Sequence, residues 1–441
     1  MKIVVIGCTH AGTSAVVNAV KLYPNAEITV YERNDNISFL SCGIALYIEK
    51  IVEDVNGLFY SSPKKLESLG VNAKMRHEVL SVDFDAKRLS VKNLETAEEF
   101  EDYYDKLIIT TGSWPIVPSF KGIDLENVMF SKNFEHAQAL ISKTNGAKNV
   151  VVVGAGYIGV ELAEAFRENG KNVTLVDIEP RVVAKYFDPE FTEGAEKALL
   201  EKGVNLALGE KVVELVGENG KVAKVITDKN EYLADLVVLS IGFTPSAKLF
   251  EGRLDTLKGA IKVDQYMRAS EADVFAAGDC ATVYFNPSDE TRYIPLATNA
   301  IREGAIAAYN LEEPKIKAVG AQGTSGIKIY DEHLAATGLT EAEAKKVFKN
   351  VKSVIIKDNY RPEFMPSNTE VTLKLVYDGD TGVLLGAQVR ADADYTQLAN
   401  TLSIAVYKKV TIEELAFIDQ FFQPHFNKPW NIINSAALCA L

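Results

Sequence analysis

The chain has 441 residues, 47% hydrophobic and 24% charged, with a formal net charge of −13 at pH 7 and a pI near 5.1. This is the composition of an ordinary globular protein long enough for two or three domains, and its acidity argues against nucleic acid or a membrane surface as partner. Four scattered cysteines (Cys8, Cys42, Cys280, Cys439) exclude a disulfide framework and give no metal site; with no apolar run of membrane-spanning length and no signal peptide, a cytoplasmic location is expected.

The apolar strand Lys2-Ile3-Val4-Val5-Ile6 runs into Gly7-Cys8-Thr9-His10-Ala11-Gly12 and a helix over 12–23. A buried parallel strand that ends in a glycine turn presents the free N–H groups of the next helix, which attract a pyrophosphate. Gly7 makes the turn and Gly12 lets helix pack on strand, while Thr9 replaces the usual middle glycine. The second strand ends at Glu32, 20 residues past Gly12, where an acid accepts from an adenosine ribose. Cys42 follows in Ser38-Phe39-Leu40-Ser41-Cys42-Gly43, just before a helix start at Ile44. The N–H groups there are expected to lower its pKa and expose a reactive thiolate, although the same pattern fits a buried structural cysteine. With no second cysteine nearby, any redox role must use a sulfenic acid or an external mixed disulfide.

A short helix over 62–69 and strands around 71–76, 79–85 and 87–92 come next, the last two as an antiparallel insertion. The strand Tyr104–Ile109 stops at Thr110-Thr111-Gly112-Ser113, which returns to the first cradle; Trp114 beyond it has the plain role of a capping core residue. A second cradle begins at Asn149: a β-branched strand, then Gly154-Ala155-Gly156-Tyr157-Ile158-Gly159, the complete fingerprint with all three glycines. Asp177 ends the following strand 18 residues past Gly159, which favours NAD(H) over NADP(H), and Arg181 is the one nearby cation that could hold a phosphate. Two dinucleotide cradles in one chain are most simply a flavin facing a nicotinamide.

The second unit closes with a strand over Ala234–Ile241 that stops at Gly242 and Pro245. After a linker, Asp273–Ala277 leads to Gly278-Asp279, where the carboxylate stands at a helix start and either accepts from ribityl hydroxyls or simply caps the helix. Leu296-Ala297-Thr298 then enters a helix over 300–310, whose N–H groups can face the flavin's pyrimidine end. From about 320, alternating strands (Ile327–Tyr330, Val351–Lys357, Val371–Tyr377, Gly382–Val389) and amphipathic helices (340–348, 394–408, 411–417) indicate an antiparallel sheet backed by helices. The aromatic block Phe421–Trp430 reads as a subunit interface. The expected fold is therefore α/β: two Rossmann-like dinucleotide-binding domains (1–118 with 246–320, and 119–245) plus a C-terminal α+β dimerisation domain (321–441).

Thr9–Gly12, Ile37–Gly43, Gly154–Gly159, Gly278-Asp279 and Phe421–Trp430 occur in the register of one family. On them the chain resembles the flavoprotein disulfide reductases, and within these the NADH oxidase and NADH peroxidase branch with a single active cysteine. The resemblance implies catalysis by Cys42, cycling between thiolate and sulfenic acid, with His10 beside it assisting proton transfer. It implies FAD held by Gly7, Thr9, His10, Ala11, Gly12, Glu32, Cys42, Thr110, Thr111, Gly112, Ser113, Lys132, Asp279, Leu296, Ala297 and Thr298. NADH is implied at Gly154, Gly156, Tyr157, Ile158, Gly159, Asp177, Tyr186, Gly242 and Gly326. Ile301 stands where related peroxidases tend to carry an arginine, which favours O2 reduced to water over H2O2 as the oxidant. A peroxidase is the runner-up, a coenzyme A disulfide reductase the third reading, and a non-catalytic flavin redox sensor the alternative of another class. A homodimer or dimer of dimers is expected.

Overall fold

The computed structural model describes residues 1–441. Largely apolar, β-branched central strands that can be covered on both faces build two parallel sheets, with more polar strands such as Asn72–Met75 at their edges. The first has the order Val274–Ala276, Lys106–Ile109, Lys2–Ile6, Glu27–Glu32, Asn72–Met75. The second has the order Asn205–Leu208, Asn172–Asp177, Asn149–Val153, Leu236–Leu239, Val128–Phe130. Each cradle strand is thus the central strand of its sheet, and its end opens onto the crevice where such folds bind ligands.

The duplication extends further. Each unit carries a three-stranded antiparallel meander: His77–Asp83, Arg88–Asn93 and Glu99–Tyr103 in the first; Val212–Glu218, Lys221–Thr227 and Glu231–Leu233 in the second. The chain crosses between the units along two short antiparallel strands, Ser113–Pro115 and Phe243–Pro245. Both follow a glycine with positive φ, Gly112 at +71° and Gly242 at +114°, a conformation side chains other than hydrogen resist.

The C-terminal part is an antiparallel sheet in the order Ser325–Ile329, Glu332–Gly338, Leu384–Ala391, Glu370–Asp378, Val351–Asn359. Helices Gln397–Tyr407, Ile412–Phe417 and Ile432–Leu438 close its core through Leu402, Leu415 and Ile433. The architecture is the expected one: two Rossmann-like units and an α+β unit. Strands Glu99–Tyr103 and Glu332–Gly338 and helix Ile432–Leu438 are additions to the sequence reading. No helix is long and apolar enough to cross a membrane.

Candidate active site

In the first cradle, Gly7 has φ +88°, and a Cβ added at Gly12 would lie 2.1 Å from the Gly7 carbonyl oxygen. Helix His10–Leu22 is therefore pressed against the turn. Its N-cap, Thr9, makes no side-chain cap and its first turn holds no acid, so the helix's positive end is uncompensated. Helix Tyr157–Glu168 of the second cradle repeats both features. There a Cβ on Gly159 would lie 1.7 Å from the Gly154 oxygen, whereas one on Gly156 would meet nothing within 4 Å. Gly156 faces open space, as a residue that admits a pyrophosphate must.

The two strand-ending acids bind the two turns in the same way. Glu32 Oε2 accepts from the Cys8 amide at 2.7 Å, and Oε1 from the Asn34 amide at 2.9 Å; burial pushes the Glu32 carboxyl up while these bonds hold it down. Asp177 accepts from the Ala155 amide and, at 2.8 Å, from the Glu179 amide. Cys8 and Ala155 each follow the first glycine of their cradle. Arg181, considered above as a phosphate holder, is instead spent on its own loop, donating to the Phe187 oxygen at 3.3 Å and Thr192 Oγ1 at 3.2 Å.

A cavity of about 750 Å³ opens at the first cradle. It is lined by Gly7, Thr9, His10, Ala11, Glu32, Thr110, Thr111, Gly112, Ser113, Lys132 and Asp279, and by His77, Ser246 and Lys248, which the sequence reading missed. Gly12, Cys42, Leu296, Ala297 and Thr298 do not line it. Gly12 acts through packing, and Ala297 and Thr298 open helix Ala297–Tyr309, whose Ala300 reaches the cavity wall. Arg302 turns elsewhere, donating to Asn299 Oδ1 at 2.6 Å.

Asp279 corrects the sequence reading: it stands in a turn, not at a helix start. Its Oδ2 accepts from Ser113 Oγ at 2.7 Å and from Lys132 Nζ at 3.2 Å, and Lys132 also donates to Ser113 at 2.8 Å. The cavity volume, the open helix end and the Ser113–Lys132–Asp279 polar cluster on the cavity wall fit FAD, whose phosphates and ribityl hydroxyls need such groups.

Cys42 sits in a short 3-10 turn, Ser41–Gly43, and the helix after it, Ile44–Ile48, is only five residues long. That helix supplies too little dipole to depress the thiol. Burial and then the Glu161 carboxylate push the Cys42 thiol up, the reverse of the expected shift. Cys42 is nevertheless an exposed residue, whereas Cys8 and Cys280 are buried with thiols pushed up to about 12 and about 11, and are inert. Ile44, Ala45 and Ile48 share one core with Val160 and Ala163 of the second cradle's helix, while Phe39 and Ser41 line the first cavity. The thiol is therefore at the meeting of the two units. Burial keeps His10 neutral; its Nδ1 pairs with the Tyr60 hydroxyl at 3.0 Å and not with Cys42. Tyr60, stacked on His10, carried no motif that would have marked it.

Over the second cradle the Tyr157 and Tyr186 rings stack at 4.2 Å, and Tyr157 OH pairs with Ser325 Oγ at 2.7 Å. Gly326 is the next residue along strand Ser325–Ile329, Ile158 is the second residue of helix Tyr157–Glu168, and Gly242 is the positive-φ glycine before strand Phe243–Pro245.

The pyridine nucleotide-disulphide oxidoreductase family matches residues 1–304, and that family's dimerisation domain matches residues 324–431. An NADH oxidase of Enterococcus faecalis is 52% identical over 443 residues, covering 100% of this chain and 99% of the relative. An NADH oxidase of Streptococcus pyogenes is 44% identical over 455 residues, with 100% and 99% covered. The structure of a water-forming NADH oxidase from Lactobacillus brevis, bound to NADH, superposes with a TM-score of 0.98 at 49% identity, covering 100% of this chain and 98% of that one. A two-cradle chain with a parallel-sheet pair, an exposed cysteine where the two units meet and a C-terminal α+β sheet thus belongs to the pyridine nucleotide-disulphide oxidoreductase family.

Proposed function

We infer that this protein is a water-forming NADH oxidase, oxidising two NADH for each O2 through FAD and Cys42. The observation that carries the reading is the placement of one exposed thiol where the walls of the two dinucleotide cradles meet. Residues 1–118 with 246–320 hold FAD, 119–245 hold NADH and 321–441 form the dimer interface. Bound FAD supplies the two-electron relay between NADH and oxygen.

The chain's own residues do the rest. The helix end at Thr9–Ala11 and the turn at Thr110–Ser113 bind FAD's phosphates and ribityl chain, with Lys132 and Asp279 fixing the latter. Asp177 takes the NADH ribose hydroxyls. Two-electron reduction of O2 gives hydrogen peroxide, and the Cys42 thiolate attacks one of its oxygens. The O–O bond breaks, Cys42 becomes a sulfenic acid, and the departing hydroxide takes a proton to leave as water. The second NADH supplies two electrons which, with two protons, break the S–O bond, restore the thiol and release the second water. His10, neutral and tied to Tyr60, holds and passes those protons. Glu161, its carboxyl pushed up to about 7 by burial, stops opposing the thiolate when it is protonated.

Phe421 and Phe426, 68% and 60% exposed, present the apolar face of a homodimer, and the protein works in the cytoplasm. Purified protein should contain one FAD per chain and, after peroxide treatment, one dimedone-reactive sulfenic acid at Cys42. Flavin-free protein, or label confined to other cysteines, would refute the reading.

A further inference from the structure

Both tyrosines over the second cradle are tied to the C-terminal sheet, by separate routes. Tyr157 is held by a single hydroxyl pair with Ser325. Tyr186 is held through its backbone, two residues from a buried polar knot. The Asp188 amide donates to Gln388 Oε1 at 2.7 Å, while Asp188 Oδ2 accepts from Gln388 Nε2 at 2.6 Å, from the Glu341 amide at 3.0 Å and from Lys374 Nζ at 3.2 Å. Lys374 Nζ also meets Glu190 Oε1 and Glu341 Oε2, each at 2.9 Å. Lys374 and Gln388 are cross-strand partners in the C-terminal sheet, and the lysine side chain is only 3% exposed.

The other end of the segment is pinned to the cradle. The Val183 amide donates to the Ala155 carbonyl at 2.8 Å, inside the glycine turn, and the Val183 carbonyl accepts from the Tyr186 amide at 2.9 Å. Val183 has φ +46°, a conformation that a β-branched residue keeps only when its surroundings over-determine it. A buried ion cluster is weak evidence for stability, because well-packed apolar residues serve as well. What such a cluster does supply is one fixed arrangement of the elements that it joins.

We propose that Lys374 and Asp188 are positioning residues for NADH: the knot fixes the Val183–Asp188 segment so that Tyr186 is a rigid wall of the nicotinamide-nucleotide site. The proposal rests on the reading of the second cradle as the NADH site. It makes the C-terminal domain part of the nucleotide site as well as a subunit interface.

The test uses the holoenzyme, with binding of tetrahydro-NAD, a non-reducing NADH analogue, measured alongside steady-state kinetics. Lys374→Met should raise the analogue's Kd and the KM for NADH about tenfold, with a much smaller fall in kcat and an unchanged flavin spectrum. Lys374→Arg, which can still reach the carboxylates, should restore most of the affinity. If Lys374→Met does not fold, Gln388→Met should give the same split, since it removes both contacts to Asp188. Unaltered Kd and KM, or a loss of FAD content and thermal stability with unaltered Kd, would overturn the proposal. Failure of the wild-type protein to bind the analogue, or binding insensitive to Asp177→Asn, would instead overturn the assignment of the cradle.

Discussion

Replacing Gly12 by alanine is the sharpest test of the first cradle's geometry. The added methyl would stand 2.1 Å from the Gly7 carbonyl oxygen and 2.8 Å from Thr110 Oγ1, and both it and the peptide must part by more than an ångström to reach van der Waals contact. The helix has no free direction in which to retreat. On its other side Gly304 packs so closely that a Cβ there would lie 2.2 Å from the Ala11 carbonyl oxygen. Overpacking of this kind costs about 1–3 kcal/mol. Because the displaced groups are the helix-end N–H donors, that cost should appear in cofactor affinity, as an FAD Kd raised by about 5- to 150-fold. Stripping the flavin and titrating it back, with quenching of FAD fluorescence as the signal, reads this directly. An alanine variant whose Kd is within twofold of the wild type would refute the claim that close packing at Gly12 sets the binding geometry.

Cys42→Ser should still consume NADH with O2 but release one H2O2 for each NADH, detectable with a peroxidase-linked dye; a variant that makes only water would remove the thiol from the mechanism. Asp177→Asn should raise the KM for NADH about tenfold and narrow the preference for NADH over NADPH, since it removes a charge that repels a 2′-phosphate; an unchanged preference would count against Asp177 as the selector. Glu303 is buried with its carboxyl pushed up to about 7 by burial, while accepting from the Gly278 amide at 2.8 Å. A carboxyl raised in the folded state destabilises it above that pKa, and the penalty fades as pH falls toward the unfolded value near 4.5. Glu303→Gln should therefore stabilise the protein by up to about 3 kcal/mol at pH 8 and by little at pH 5, read as chemical denaturation midpoints. Equal effects at both pH values would contradict the assignment.

The two cradles were legible because the constraint is local. A turn that must pass a pyrophosphate needs glycine at fixed offsets, and the acid that clamps it must end the next strand, so Gly7, Gly12, Glu32, Gly154, Gly159 and Asp177 declare themselves. Strand Glu99–Tyr103 did not, since three of its five residues are acidic; it exists through cross-strand partners, Arg88 opposite Tyr103 and Lys92 opposite Glu99. Cys42 was legible as a position but not as an environment. Its expected low pKa came from a helix start that proved five residues long, whereas the group that pushes the thiol further up, Glu161, lies 119 residues away in sequence. The same reason hid Tyr60 beside His10 and the Asp188–Lys374 knot, which are contacts between distant segments with no shared motif.

Completion of O2 reduction to water by Cys42 is read from oxygen uptake against NADH consumed by the purified flavoprotein, with catalase added at the end. Two NADH should be consumed for each O2, with no return of oxygen on adding catalase. One NADH for each O2 with half the oxygen returned, or NADH loss only when peroxide is supplied, would contradict it.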